Sequence, residues 1–91
     1  MSRRLHIIVK GKVQGVGFRY FTQMKAGQYG ITGWVKNLPN GDVEIVASGE
    51  RENIEKFIKT LKEGAPFSKV TDVIVNEWEK TEPLQSFTIR Y

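Results

Sequence analysis

Gly11-Lys12-Val13-Gln14-Gly15-Val16-Gly17-Phe18-Arg19 holds three glycines, two basic side chains and no carboxylate within nine residues. Glycine lets the backbone turn with positive φ and approach a ligand closely. The stretch follows the apolar run Leu5 to Val9 and opens onto a segment that reads as helix. A turn of that kind points several N–H groups into one small space at the positive end of a helix dipole, where phosphate is the common guest. Arg19, at the far end, adds a planar fork that can grip two phosphate oxygens at once. Glycine patterns alone are weak signals, and a tight strand-to-helix turn with a surface arginine accounts for this one equally well.

The elements around this loop must decide between the two. Ninety-one residues make one domain, 1–91, large enough for a single core. Hydrophobic residues at 40% and charged residues at 26% are ordinary for a globular protein. There is no cysteine, which removes disulfides, thiolate nucleophiles and thiolate metal sites and fits a reducing compartment. No run reaches the length of a membrane span, and Met1-Ser2-Arg3-Arg4 lacks the apolar core of a signal peptide, so a cytoplasmic location without membrane contact is expected. The formal charge of +4 suits an anionic partner, a small phosphorylated molecule or nucleic acid.

Leu5, Ile7 and Val9 alternate with His6 and Lys10 as a half-buried strand. Phe18 to Tyr29 reads as a helix with Phe18, Phe21, Met24 and Tyr29 as its apolar side, stopped by Gly30. Ile31 to Leu38 is the second strand, and Asn40-Gly41 is a strong hairpin signal before a third strand from Val43. Ile54, Phe57, Ile58 and Leu61 fall at i, i+3, i+4 and i+7 of a second helix, with Lys56, Lys59 and Lys62 outward. Val70 to Trp78 is the fourth strand. After a polar loop, Phe87, Ile89 and Tyr91 alternate in a short fifth.

This order predicts an α+β, ferredoxin-like βαββαβ sandwich: two helices on one face of a mostly antiparallel sheet, with a short fifth strand. The first and second strands are then parallel, with the third between them, so their carboxyl ends share one edge about 10 Å apart. The glycine loop leaves one of those ends and Val35-Lys36-Asn37 closes the other. Asn37 is therefore expected beside whatever the loop holds, as ligands collect at carboxyl ends of strands.

That edge offers N–H groups, Arg19 and Asn37. His6 sits early in its strand and reads as a surface residue, and Asp42 and Glu44 read as hairpin and surface residues, so neither a metal nor a cofactor is expected. Positive and neutral donors can stabilise charge on a phosphoryl group but cannot supply a general acid. Such a site suffices only when the leaving group needs no proton. A carboxylate qualifies, its conjugate acid having a pKa of about 4. Asn37 does not titrate at neutral pH but can accept a hydrogen bond from water and hold it in line. The site is consistent with acyl phosphate hydrolysis without singling it out.

The loop, together with Gly33-Trp34-Val35-Lys36-Asn37 and Asn40-Gly41-Asp42-Val43-Glu44, resembles the two signature regions of the acylphosphatases, and the resemblance runs over essentially the whole chain. It implies a ferredoxin-like fold and metal-independent hydrolysis of the carboxyl–phosphate bond. By the same resemblance Arg19 is the phosphate-binding arginine, Asn37 the water-positioning asparagine, and Gln14, Gly15, Val16, Gly17 and Phe18 the backbone phosphate cradle. Expected partners are a small acyl phosphate and inorganic phosphate as product and competitive inhibitor, with the protein a monomer. Asn37 has a bland alternative, capping the Pro39-Asn40-Gly41 turn. Gln14 has one too, bracing the loop. The rival functions are an RNA-binding module, with Trp34 as its one candidate stacking residue although Trp34 and Trp78 read first as packing residues, and a domain that binds a phosphorylated ligand without turnover. No nucleic acid is expected, because the third strand, Val43-Glu44-Ile45-Val46, carries no aromatic.

Overall fold

The computed structural model describes residues 2–91, so Met1 of the N-terminal stretch lies outside the described residues. The chain runs β1 (Ser2–Lys12), α1 (Phe18–Gln28), β2 (Thr32–Asn37), β3 (Val43–Glu50), α2 (Arg51–Glu63), β4 (Lys69–Glu77) and β5 (Phe87–Arg90). The strand order is β4-β1-β3-β2-β5. Both β1 and β2 pair antiparallel with β3, which makes them parallel to each other and puts their carboxyl ends on one edge. This is the expected α+β, ferredoxin-like arrangement. β1 starts at Ser2, ahead of its apolar run, because Ser2, Arg3 and Arg4 pair with Glu50, Gly49 and Ser48. Ladder pairing sets that boundary, and burial does not.

One sheet face, carrying Leu5, Ile7, Val9, Val35, Val43, Ile45 and Ala47, packs under the helices. α2 buries Ile54, Phe57 and Leu61, as its periodicity predicts. α1 differs from expectation. It buries Phe18, Thr22 and Ala26, while Met24 is 51% exposed. The i, i+4, i+8 stripe of α1 uses two small residues, which let the helix lie close on the sheet. Thr22 can be buried because its hydroxyl donates to Phe18 O at 2.8 Å. Phe21 and Tyr29 only border the core.

β4 and β5 occupy opposite edges, so the segment 78–86 must cross the whole sheet. It crosses the face away from the helices. Trp78 stacks on His6 at 5.3 Å and meets Trp34 edge-on at 6.3 Å. Arg4 Nη1 donates to Glu82 O at 2.7 Å, and Arg90 lies 4.4 Å over the Trp34 ring. Trp34, the candidate base-stacking residue, is thereby only 6% exposed. His6 and Glu44, read as surface residues, are a half-buried pair at 2.7 Å beneath this crossing. No helix of the described residues is long and apolar enough to cross a membrane.

Candidate active site

The loop between β1 and α1 has the backbone its sequence calls for. Gly15 and Gly17 have φ of 75° and 76°. A Cβ at either would meet no atom within 4 Å, so the backbone angle, and not crowding, demands glycine there. Gly17, with ψ 20°, is the N-cap of α1. It provides no side-chain cap, and the first turn of the helix contains no acid. Among the described residues, none accepts a hydrogen bond from the amides of Gly15, Val16, Gly17 or Phe18. A helix start normally satisfies such donors with a Ser, Thr, Asp or Asn oxygen. Here they have no protein acceptor among the described residues, and the local dipole is one that favours an anion.

An open pocket of about 200 Å³ collects the parts. Gly15, Gly17, Phe18 and Arg19 line it from the loop and helix, and Asn37 lines it from the end of β2. The side chains of Gln14 and Val16 are directed elsewhere. Val16 packs against the core. The Gln14 side chain donates from Nε2 to both Leu38 O and Asp42 O at 2.8 Å. It thus ties the loop to the β2–β3 hairpin one residue beyond Asn37. Asp42 is held by Lys10 at 2.6 Å and belongs to that hairpin.

Arg19 is half-buried and fixed from behind. Its Nη1 donates to Arg90 O at 3.2 Å, and its guanidinium lies 4.5 Å from the centroid of the Tyr91 ring. Asn37 is placed differently. Its Oδ1 is buried without a hydrogen-bond partner among the described residues. The hairpin turn does not use Asn37 as its cap, since Asn40 Oδ1 accepts from Asp42 N at 3.0 Å instead. A covered, unpaired amide oxygen costs about 1–3 kcal/mol, and such strain is typically retained where a site needs the group. Among the described residues no group of three or more His, Cys, Asp or Glu is arranged to hold a metal. The site therefore offers donors, one fixed positive charge and one uncommitted amide.

Tyr20, Ile89 and Tyr91 also line the pocket, and the reading of the sequence missed all three. β5 is parallel to β2, pairing Gly33 with Phe87 through Lys36 with Arg90, so its carboxyl end reaches the same edge. The period-two alternation of Phe87, Ile89 and Tyr91 was a usable signal, because it puts all three on the helix side of the sheet, where Arg19 lies. What the sequence did not reveal is which strand β5 pairs with.

The chain matches the family model described as Acylphosphatase over residues 5–89. It is 53% identical over 85 residues to an acylphosphatase of Bacillus licheniformis, covering 93% of this chain and 94% of that one. Among solved structures it is similar to the acylphosphatase from Bacillus subtilis, with a TM-score of 0.93 and 48% identity over the full length of both chains. It is also similar to an acylphosphatase from Coxiella burnetii, with a TM-score of 0.91 and 44% identity, covering 98% of this chain and 93% of that chain.

Proposed function

The chain belongs to the acylphosphatase family, enzymes that act on small acyl phosphates, and we propose that it hydrolyses their carboxyl–phosphate bond through the pocket described, with residues 1–91 acting as one catalytic unit in the cytoplasm as a monomer. The phosphoryl oxygens accept from the amides of the Gly15–Phe18 turn and from the Arg19 guanidinium, which stabilises the charge that spreads over them in the transition state. Arg19 is pre-set for this by Arg90 O and the Tyr91 ring, so little side-chain freedom is lost on binding. Gln14 acts through its side chain, holding the cradle loop and the Asn37 hairpin at a fixed separation.

Asn37 holds the attacking water in line with the scissile bond. The terminal amide has nearly equal shape in its two orientations, so a half-turn presents Oδ1 to the water's O–H. Water oxygen bonds to phosphorus as the bond from phosphorus to the carboxyl oxygen breaks. The electron pair leaves with the carboxylate, which needs no proton at neutral pH. The water's proton passes to a phosphoryl oxygen of the substrate, so no side-chain base and no metal take part. Inorganic phosphate occupies the same cradle and competes.

The observation that carries this reading is the uncapped, acid-free start of α1 facing one pocket with Arg19 and Asn37. The test is hydrolysis of an aromatic acyl phosphate in excess chelator, with and without added phosphate, for the native chain and Arg19→Ala. Expected are chelator-insensitive turnover, competitive inhibition by phosphate, and in the variant loss of turnover together with loss of phosphate binding measured directly by calorimetry. Turnover that chelator abolishes, or that survives Arg19→Ala, overturns the mechanism. Phosphate binding without turnover would leave a ligand-binding module.

A further inference from the structure

We infer that Tyr20 and Tyr91 form an acyl-side wall of the pocket, selecting acyl phosphates whose acyl group carries an aromatic or apolar body. This inference rests on the phosphate cradle proposed above. The pocket lining divides by chemistry. Gly15, Gly17, Phe18, Arg19 and Asn37 supply donors and a charge, whereas Tyr20 and Tyr91 supply ring surface. A phosphoryl group uses the first set fully, takes from the second only the support that the Tyr91 ring gives Arg19, and leaves the Tyr20 ring without a role.

Both rings are conspicuously uncovered, Tyr20 at 67% and Tyr91 at 93% exposed. The two differ in how they are held. Tyr91 is engaged by the Arg19 guanidinium, so its position follows that of the phosphate-gripping group. Tyr20 stands next to Arg19 in the first turn of α1 and has no ring or hydrogen-bond partner among the described residues. An aromatic ring at a mouth of this kind gains by covering an apolar ligand group and has nothing to offer a one-carbon tail such as an acetyl methyl. Aromatic contacts of this sort are worth a factor of roughly 2 to 12 in affinity beyond area burial.

The test compares kcat/KM for benzoyl phosphate and acetyl phosphate in the native chain, Tyr20→Ala and Tyr20→Phe, with the inhibition constant of inorganic phosphate measured alongside. Met24→Ala, exposed on the same helix but outside the pocket, is the control. The expected result is a fall of about 3- to 10-fold in the benzoyl-to-acetyl ratio for Tyr20→Ala, arising mainly in KM, with the ratio retained in Tyr20→Phe and Met24→Ala. An unchanged ratio with phosphate still inhibiting overturns the acyl wall and leaves the cradle intact. Loss of phosphate inhibition in the native chain would overturn the cradle, and the wall with it.

Discussion

Asn37→Ala is expected to make the protein inactive and no less stable. Asn37 Oδ1 is buried and unpaired, and the side chain contributes no hydrogen bond to the hairpin it precedes. Removing a desolvated, unsatisfied acceptor recovers about 1–3 kcal/mol. Against this stands the loss of contacts by a small, half-buried side chain, on the order of 1 kcal/mol. Asn and Ala are both poor strand formers, so the backbone contribution is small. The net change lies between zero and a gain of about 2 kcal/mol, and a gain of 1 kcal/mol raises the Tm of a domain this size by roughly 4–8 °C. Activity moves the other way. Losing a group that positions the nucleophile lowers kcat by about 100- to 1,000-fold, while the inhibition constant of phosphate is largely kept because the cradle is untouched. Thermal unfolding followed by circular dichroism, with steady-state hydrolysis of an acyl phosphate, reads both. A Tm lowered by more than about 4 °C would make Asn37 a structural residue, and a retained kcat would remove it from the chemistry. An equal loss of turnover and phosphate affinity would mean that it binds substrate and does not merely orient water.

Gln14→Ala removes two 2.8 Å bonds to the hairpin carbonyls and is expected to cost about 1–3 kcal/mol, with a smaller loss of kcat than Asn37→Ala. An unchanged unfolding midpoint in denaturant would show that the brace contributes nothing. Phe67 has φ of 67°, is 89% exposed and sits in a turn closed by Ser68 N donating to Ala65 O. Phe67→Gly relieves the left-handed strain of about 1–2 kcal/mol at some cost in unfolded-chain entropy, so a net gain of up to about 1 kcal/mol with unaltered turnover is expected. A lower melting temperature would refute that reading.

Much of this protein was legible in its sequence because local rules suffice there. Period two gave β1 and β3, period 3.6 gave α2, and Asn40-Gly41 gave the hairpin. Gly15 and Gly17 announced a positive-φ turn, and a right-handed crossover then put the end of β2 on the same edge as the loop. The misreadings share a different cause. Met24 outweighs Thr22 and Ala26 in hydrophobicity, but which stripe of α1 faces the sheet depends on how close the helix can approach, and small residues decide that. His6 and Glu44 are 38 residues apart, and only the β1–β3 register makes them a pair. Trp34 is the packing residue the sequence suggested, but what packs on it was not legible, because β4 and β5 lie at opposite edges and oblige the intervening segment to cross the sheet. The same edge placement of β5 brings Arg90 O and Tyr91 to Arg19 and Tyr20 to a shared mouth. Turns and periodicities are written in neighbouring residues, so the sequence alone determined the elements and the donors of the site. Strand partners are chosen by contacts between residues far apart in the chain, so tertiary structure alone decided what holds Arg19 and what walls the pocket.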